Sequence, residues 1–293
     1  MKILTYCPMA PSTPKLFRRS LDSIFRLEWP EPMPIIFGRE DNPLTEHYVN
    51  LTAKHNQVRQ MVLDGGFDAL FLVEYDMILP QDALLRLVNL PFDVSYGLYC
   101  ERHKLHRWLS FFYIDDQAGV SYSQDEDRAK AAWGMACQTD GVGLGCTLIK
   151  RKVLEQIEFR SHPTNAVADD WLLALDVKKA GFKQGHDFGV KCGHITHTGD
   201  VIWPDISADG FYKVEFHSPI ETEITEKKSL QLIADRLGTQ TVYGRCKQKI
   251  VTANAYIADN GHSYKPGDAI TDGLMVDDSA HYVQNGSVRV EYV

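Results

Sequence analysis

The sequence predicts an α/β protein: a mainly parallel open sheet with helices on both faces, followed by a small C-terminal all-β module. Three observations support this fold class. Residues 69–73 form an unbroken apolar run, which is typical of a strand covered on both faces. Strand and helix patterns alternate through the first part of the 293-residue chain, as in doubly wound folds. From Thr241 onward, short period-two segments are separated by turn sequences such as Asn285-Gly286.

The amino-terminal elements follow this alternation in order. Residues 2–6 form a first strand, and Pro14 stands in the first turn of a helix whose apolar positions keep helical spacing. A second strand at 34–37 ends in a loop that contains Asn42. The next helix begins after this loop and ends at Gly65, just before the central strand.

The central strand is followed directly by Glu74-Tyr75-Asp76. Open α/β sheets bind ligands beyond the carboxyl ends of their strands, so both carboxylates are expected to face a ligand crevice. Hard oxygen ligands at this spacing suit Mg²⁺ or Mn²⁺ held against a diphosphate. The alternative is an acidic strand end without a metal, since short acidic triplets are common.

From residue 93 onward the sequence predicts a series of shorter elements. They are a strand at 93–100, a hairpin at 111–123, a polar connection at 125–130, a glycine-led strand at 140–149, a helix at 151–157, a helix at 168–179 and a strand at 182–191. The segment 200–219 shows little periodicity. A charged helical linker is predicted at 221–239, and the small β module occupies 240–293.

Glycines alternate at positions 141, 143 and 145, where they lead into a strand. A dinucleotide-binding fingerprint has glycines that follow a strand and open a helix, so this run does not match it. Alternating glycines allow the backbone to approach a ligand closely, or they relieve crowding against other parts of the protein. Both explanations fit the sequence.

The composition disfavours several function classes. A formal net charge of −8 argues against a general polyanion-binding surface but allows a local basic cleft. The apolar runs are too short to span a bilayer, and Pro8 precedes any signal-peptide core, so we expect neither a membrane span nor a leader. Six cysteines without a C-x-x-C pair favour a reduced, cytoplasmic location.

Three sequence blocks, taken in order, resemble the GT-A glycosyltransferases of the family 2 type. The blocks are the apolar strand ending in Glu74-Tyr75-Asp76 at the place of a D-x-D motif, the glycine-led strand at 143–152, and the segment from Asp169-Asp170 through Lys179-Ala180-Gly181-Phe182 to Gly193-His194. The resemblance covers roughly residues 1–204 and depends on the order and spacing of the blocks together. It implies a GT-A, Rossmann-like catalytic domain at 1–220.

The resemblance implies a glycosyltransferase that moves a sugar from a nucleotide-sugar donor to an acceptor hydroxyl, with Mn²⁺ or Mg²⁺ as cofactor. A divalent cation neutralises the diphosphate leaving group. By resemblance, Asp76 is the principal metal ligand, Glu74 its partner, and His194 a third ligand or a diphosphate contact. Glu74 departs from the usual aspartate, although its longer side chain can still reach a metal or its water shell.

The same resemblance implies Asp170 as the catalytic base, with Asp169 as second choice. The family usually has a Glu-Asp pair at this place, so the Asp-Asp pair leaves open which carboxylate accepts the proton. Arg102 and Arg107, in the most basic segment of the chain, are expected beside the donor phosphates or the acceptor, although a solvated loop also fits. Asn42, at the carboxyl end of the second strand, is expected to contact the donor.

Two of these assignments have structural alternatives. Asp169 and Asp170 stand where a helix N-cap and a first-turn acid belong, and one of them can cap while the other catalyses. Cys192, His194 and His197 are grouped like part of a zinc site, but the spacing is not standard and a clear fourth ligand is missing.

Two other function classes fit parts of the sequence. A nucleotidyltransferase uses similar metal carboxylates but usually carries a glycine- and arginine-rich loop after its first strand, and residues 7–12 contain no glycine. A non-catalytic sugar- or nucleic-acid-binding protein keeps the fold without turnover. Saccharide, lipid carrier, protein and modified DNA are all open as acceptors, as are inversion or retention and the oligomeric state. The C-terminal module is expected to contact the acceptor, a partner or another copy.

Overall fold

The computed structural model describes residues 1–9, 14–31, 33–39, 47–102, 105–113, 119–141, 143–161, 169–207, 210–216, 248–252, 256–257, 263–264 and 288–292. The helices within these residues are α1 (Pro14–Phe25), α2 (His47–Asp64), α3 (Ala83–Val88), α4 (Glu126–Ala132), α5 (Arg151–Leu154) and α6 (Asp169–Lys179), with a 3-10 turn at Tyr122–Gln124. The strands are β1 (Ile3–Met9), β2 (Ile35–Arg39), β3 (Ala69–Val73), β4 (Met77–Ile78), β5 (Val94–Leu98), β6 (Phe111–Tyr113), β7 (Gly119–Ser121), β8 (Ala136–Gln138), β9 (Cys146–Lys150), β10 (Gln184–Lys191), β11 (Gly193–Ile195), β12 (Val201–Ser207), β13 (Gly210–Glu215), β14 (Gln248–Thr252), β15 (Tyr256–Ile257), β16 (Ser263–Tyr264) and β17 (Val288–Tyr292).

Seven strands form one mixed sheet in the order β2-β1-β3-β9-β5-β10-β8. β1, β2, β3, β5 and β10 point in the same direction, whereas β9 and β8 run the opposite way. The sheet is therefore mainly parallel, which confirms the predicted fold class. β3 lies between β1 and β9, and all of its side chains are buried, which explains its wholly apolar sequence.

Helices cover both faces of this sheet, and the side chains of β3 alternate between the two faces. Phe71 packs with apolar side chains of α1 and α3, whereas Leu70 and Leu72 pack with those of α2, α5 and α6. Full burial of such a side chain contributes about 1.5–3 kcal/mol relative to leaving it exposed. Two apolar layers of this kind hold the central strand, and hence the segment that follows it, in a fixed position.

A second, antiparallel sheet contains four strands in the order β13-β12-β11-β4. Strand β4 directly follows Glu74-Tyr75-Asp76, and β11 directly follows β10 of the large sheet. Both connections are short, so the second sheet extends from the edge at which the parallel strands end. A third group of buried side chains, which includes Trp108, Phe188 and Ile202, packs this sheet against the region of α4.

Two segments differ from what the sequence predicts. The polar connection at 125–130 is largely the helix α4, whose N-cap Asp125 accepts a hydrogen bond from the N–H of Arg128 at 3.1 Å. The buried side of α4 consists of Ala129 and Ala132, and such small side chains give only a weak periodic signal. The segment 200–219 contains the hairpin β12–β13, whose register shifts after Pro204 and so interrupts the alternating pattern.

The described residues near the carboxyl end are all in β-strands. β14 pairs with β17 and β15 pairs with β16, both in antiparallel register. The helical linker predicted at 221–239 and the domain boundary predicted at 220 lie outside the described residues. Among the described helices, none combines the length and the apolar character that crossing a bilayer requires. The cysteines in the described part of the chain are free thiols.

Candidate functional site

Four chain segments meet at one edge of the large sheet. Residues 74–76 follow β3, residues 99–102 follow β5, and residues 192–194 follow β10, because these three strands point in the same direction. Strand β9 runs the opposite way, so its glycine-led entry at 143–145 lies at the same edge. The N–H of Glu74 donates a hydrogen bond to the carbonyl of Gly145 at 3.1 Å, which joins two of these segments.

Backbone pairing between β4 and β11 brings Asp76 and His194 together. Met77 lies opposite His194 in this pair, and the N–H of Ile195 donates to the carbonyl of Asp76 at 2.9 Å. Asp76 is 1% exposed and His194 is 5% exposed. A carboxylate and an imidazole buried to this extent require partners in the protein or a bound ion.

Glu74, Asp76 and His194 form a group that can hold a metal ion. Each offers one ligand atom, and these atoms all lie within 4.8 Å of one another. Two ligands on opposite sides of Mg²⁺ lie about 4.2 Å apart, which is twice the usual bond length. Small side-chain adjustments therefore suffice to surround one ion.

One hydrogen bond shows which ring nitrogen of His194 carries a proton. Its Nδ1 lies 2.6 Å from the carbonyl oxygen of Cys100, and a carbonyl only accepts, so Nδ1 carries the proton. The other ring nitrogen, Nε2, lies 3.6 Å from Asp76 Oδ2, beyond hydrogen-bond distance. Among the described residues, neither His194 Nε2 nor Asp76 Oδ1 has a hydrogen-bond partner. An imidazole held by a backbone carbonyl with its second nitrogen available is the usual arrangement of a metal ligand.

Arg102 is the counter-ion of Asp76. Its Nη1 lies 2.6 Å from Asp76 Oδ2, and the side chain of Tyr75 also hydrogen-bonds to Arg102. Burial raises the pKa of the Asp76 carboxyl, but the His194 ring and the Arg102 guanidinium outweigh burial, so the pKa of Asp76 is lowered overall. The carboxyl is therefore an anion at neutral pH, which is the form that a metal ligand needs.

Tyr99 packs against the glycine-led segment beside this group. Its hydroxyl oxygen accepts the N–H of Gly145 at 2.9 Å, and its ring lies edge-on to His194 with centroids 5.5 Å apart. A Cβ atom at Gly143 would lie 2.2 Å from the Tyr99 hydroxyl, and one at Gly145 would lie 2.7 Å from Tyr99 Cζ. These two glycines are therefore needed for close packing, in line with the crowding explanation of the alternating glycines.

The acidic pair predicted at a helix start is found at the beginning of α6. Asp170 is half-buried, and its Oδ1 accepts the N–H of Trp171 at 2.6 Å. Burial raises the pKa of Tyr99, and the charges of Glu74, Asp170 and Asp76 raise it further, so Asp170 acts electrostatically on the same tyrosine as two members of the metal-ligand group. The side chain of Asp169 lies outside the described residues.

The other predicted donor contacts are placed differently. Arg107 Nε lies 2.9 Å from Glu101 Oε1, and the N–H of Glu101 donates to the carbonyl of Arg107 at 2.8 Å. Arg107 therefore closes the base of the loop at 101–107, while Arg102 from the same loop reaches Asp76. Asn42 lies outside the described residues.

The zinc alternative is not assembled in the described part of the chain. Cys192 is buried, and its hydrogen bond with Cys146, together with burial, raises the pKa of its thiol well above the usual value. His197 is exposed in the turn between β11 and β12. Of Cys192, His194 and His197, only His194 belongs to the metal-ligand group described above.

Three contributors to this site are not singled out by the sequence analysis. They are the Tyr99 side chain, the Cys100 carbonyl and the Tyr75 side chain. Tyr99 and Cys100 directly follow β5, which runs parallel to β3 within the same sheet. The carboxyl end of β5 is the signal that points to them, because parallel strands deliver their next residues to one edge.

The fold and the site together define an α/β protein with a candidate divalent-metal site at the carboxyl edge of its sheet. No protein-family model and no curated protein matches the sequence. One similar solved structure is protein A197 from STIV, at 17% identity and a TM-score of 0.45, covering 74% of this chain and 96% of that chain. Another is the mannosyltransferase PcManGT from Pyrobaculum calidifontis in complex with GDP-Man and Mn²⁺. It has 15% identity and a TM-score of 0.39, and the match covers 62% of this chain and 53% of that chain. Both TM-scores lie below 0.5, so the function has to be inferred from the site itself.

Proposed function

We propose that this protein is a metal-dependent glycosyltransferase that moves a sugar from a nucleoside-diphosphate sugar to an acceptor hydroxyl. The observation that carries the proposal is the convergence of Glu74, Asp76 and His194 at the carboxyl edge of a mainly parallel sheet. Two polar atoms of this group, Asp76 Oδ1 and His194 Nε2, are buried without hydrogen-bond partners among the described residues. Buried polar atoms of this kind are expected to have a ligand in the working protein.

Asp76 and His194 would hold the ion from the fixed backbone of the β4–β11 pair, and Glu74 would complete the set from the end of β3. A divalent cation bound there stabilises the negative charge that develops on the diphosphate leaving group. The set joins carboxylate oxygens to one imidazole nitrogen, and carboxylates suit both Mg²⁺ and Mn²⁺. We favour Mn²⁺, because Mg²⁺ prefers an all-oxygen environment with several waters.

Asp170 is the proposed base that accepts the proton of the attacking hydroxyl. Its carboxylate is half-buried at the start of α6 and acts electrostatically on Tyr99, as Glu74 and Asp76 do. Asp169 is the second choice, and a cap of the helix remains its alternative role. Asn42 and Arg107 are proposed to line the donor site without contacting the metal.

The order of the sequence blocks supports this function independently of the site geometry. The acidic strand end, the glycine-led strand and the acidic pair before Gly193-His194 occur in the sequence order of the GT-A family that they resemble. All three blocks contribute residues at one edge of the sheet. We also propose a cytoplasmic location, which the free thiols of the described cysteines support.

The central test combines a donor panel with two carboxamide variants. Wild-type protein is heated with each of several nucleotide sugars, with and without Mn²⁺, because a true donor stabilises the folded state by mass action. Metal-dependent hydrolysis of the stabilising donor is then measured. Asp76→Asn should abolish both effects while the protein stays folded, and Glu74→Gln should weaken them less. Wild-type metal dependence in Asp76→Asn would show that the site is wrongly assigned, and donor binding without turnover would indicate a non-catalytic sugar-binding protein.

The base assignment has its own test. Asp170→Asn should leave donor binding intact and reduce turnover by ~10²–10⁴-fold, the usual contribution of a general base. Asp169→Ala should cost about 1 kcal/mol of stability and less of the rate if that residue caps the helix. An unchanged rate in Asp170→Asn, with a large loss in Asp169→Asn, would move the role to Asp169.

We propose further that residues 240–293 contact the acceptor or a partner and take no part in donor binding. The described metal-ligand group ends at His194, and the described strands beyond residue 247 pair only with one another. A chain ending at Leu237 is expected to fold and to bind donor with metal while losing acceptor transfer. A truncated chain that folds but binds no donor would place the module within the catalytic unit.

A further inference from the structure

Arg102 occupies Asp76 Oδ2, the carboxylate oxygen that faces His194 Nε2. Its Nη1 lies 2.6 Å from Asp76 Oδ2, and His194 Nε2 faces the same oxygen at 3.6 Å. The Asp76 side chain is 2% exposed, so its charge has little access to water. Among the described residues, Arg102 is the cation hydrogen-bonded to Asp76, and removing such a partner from a buried carboxylate is strongly unfavourable. Without a metal, the guanidinium therefore supplies the positive charge that Asp76 requires.

A guanidinium and a divalent cation compete for Asp76 Oδ2. A metal bound to Oδ2 at about 2.1 Å would lie within about 4.7 Å of the present position of Nη1, and like charges at that distance repel inside a protein. A metal that binds Oδ2 together with His194 Nε2 therefore displaces Arg102 from this oxygen. Because Asp76 then has the metal as its partner, this carboxylate is satisfied in either state.

The loop that carries Arg102 allows its side chain to move while the backbone stays in place. Glu101 and Arg107 join the two ends of the loop through a backbone hydrogen bond of 2.8 Å and a side-chain ion pair of 2.9 Å. The Arg102 side chain is 29% exposed, so it has a route out of the pocket. A change of side-chain rotamer would then move the guanidinium away from Oδ2 and toward solvent.

We propose that Arg102 exchanges between two anions: Asp76 when the site holds no metal, and the diphosphate of the donor when it does. The inference deepens the proposed function and rests on it. A guanidinium matches two phosphate oxygens in a planar, bidentate contact. Metal alone has to displace Arg102 from Asp76 without offering it a new anion, whereas metal with a nucleoside diphosphate offers one. The two ligands therefore bind with positive cooperativity, and each raises the affinity of the other by the same factor.

The exchange is tested with Mn²⁺, UDP and GDP, without any turnover. Free Mn²⁺ is measured by electron paramagnetic resonance during titration of the full-length protein, alone and with saturating UDP or GDP. In wild type, one of the two nucleotides should raise the Mn²⁺ affinity at least ~10-fold. Arg102→Gln should bind Mn²⁺ alone about 10-fold more tightly than wild type, because its competitor is gone, and should gain less affinity from the nucleotide than wild type, because only the direct contact between metal and diphosphate remains.

Two further variants separate this exchange from a structural role of Arg102. Arg102→Lys keeps the charge on Asp76 but not the planar fork, so its affinity for Mn²⁺ alone should stay near wild type while the cooperativity falls. Arg160→Gln removes an equal charge from an exposed ion pair with Asp176, which has no role in the proposed site, and should match wild type in both respects. Full cooperativity in Arg102→Lys, or none in wild type with either nucleotide, contradicts the proposal.

The outcomes also distinguish failure of this inference from failure of the proposed function. Asp76→Asn is included as a reference and should abolish Mn²⁺ binding. If Asp76→Asn binds Mn²⁺ as wild type does, the metal site itself is wrong, and the proposed function falls with it. If Asp76→Asn behaves as expected but Arg102→Gln binds Mn²⁺ alone no more tightly than wild type, only the exchange by Arg102 is refuted.

Discussion

Two buried histidines, His186 and His194, lie on the consecutive strands β10 and β11 and differ in what their rings contact. His186 is 0% exposed and His194 is 5% exposed, so burial does not distinguish them. The Nδ1 of His186 lies 2.8 Å from Thr139 Oγ1, and its Nε2 lies 3.0 Å from the carbonyl of Leu109. His194 uses only Nδ1, on the carbonyl of Cys100. The number of partnered nitrogens therefore separates a structural histidine from a candidate ligand.

The ring of His186 is neutral for a clear physical reason. In the neutral ring, Nε2 donates a hydrogen bond to the carbonyl of Leu109, and Nδ1 accepts one from the hydroxyl of Thr139. Burial lowers the pKa of His186 to about 3, although the hydrogen bond to Leu109 acts in the other direction. The ring also stacks on Tyr96 with centroids 4.9 Å apart. His186 thus joins the hydrogen bonds of the core, and no nitrogen is left for an ion.

The largest expected effect separates the two histidines by metal binding. His194→Gln should weaken Mn²⁺ binding at least ~100-fold, because even the loss of an outer partner of a metal ligand costs 10–100-fold. His186→Gln should leave Mn²⁺ affinity unchanged but lower the free energy of unfolding by about 1–3 kcal/mol, since buried partners are left unsatisfied. Calorimetric titration with Mn²⁺ and urea unfolding of both variants measure the two quantities. If both variants lose Mn²⁺ affinity, or both lose only stability, the distinction between a structural histidine and a metal ligand is wrong.

The second expected effect is on the pH dependence of stability. The unfolded chain protonates His186 below about pH 6.5, whereas the folded chain does so only near the lowered pKa of about 3. The unfolded state therefore binds more protons in this window, and the free energy of unfolding falls as the pH decreases. The contribution of one such group is at most about 1.4 kcal/mol per pH unit. Urea unfolding between pH 4 and pH 7 should show a shallower slope in His186→Gln, and an equal slope would mean that the ring is not neutral in the core.

A smaller effect is expected from the packing that supports His194. Gly143→Ala places a Cβ atom 2.2 Å from the Tyr99 hydroxyl, and overpacking of this kind typically costs about 1–3 kcal/mol. Tyr99→Phe removes the acceptor of the Gly145 N–H and should cost about 1 kcal/mol. Because the phenylalanine lacks the clashing oxygen, the double variant should lose less stability than the sum of the single variants. Additive losses in the double-mutant cycle would mean that the Tyr99 hydroxyl is not what excludes a larger side chain at position 143.

The smallest effect is expected at the third histidine of this region. His197 is exposed in the turn after β11, and Cys192 keeps its proton in the core beside Cys146. His197→Ala and Cys192→Ser should therefore leave Mn²⁺ affinity and metal selectivity unchanged. Tight Zn²⁺ binding in wild type that either substitution abolishes would favour the zinc alternative over the group built on Glu74 and Asp76.

Much of the large sheet is predictable from sequence, because its inner strands β3, β5 and β9 are buried on both faces. The run at 69–73 is apolar at every position, and such a run has few alternatives to a central strand. The helix α4 and the hairpin β12–β13 are harder to predict. Their stability depends on packing with distant residues: Trp108 donates from its indole N–H to the carbonyl of Phe211 at 2.6 Å. Contacts of this kind leave little trace in local periodicity.

The candidate site is predictable in its residue types but not in its pairing. The acidic pair after β3 and the late histidine follow from strand ends that share one edge of the sheet. The tautomer of His194 and the ion pair of Arg102 with Asp76 depend on single hydrogen bonds between segments distant in sequence. No pattern in the chain encodes that Cys100 offers a backbone carbonyl to an imidazole 94 positions away. Such contacts follow only from the folded backbone.

The pairing of β4 with β11 also bears on how the chain reaches its native state. Hairpins such as β6–β7 close short loops, whereas β4 and β11 are separated by every element from α3 to β10. Closing a long loop costs more chain entropy than closing a short one, so this pair is expected to form late in folding. Until this pair forms, Asp76 and His194 are not held next to each other in the partly folded chain. An ion that binds both would selectively stabilise the last contacts to form, and its removal would be detected first in the amide exchange of β4 and β11 rather than in the large sheet.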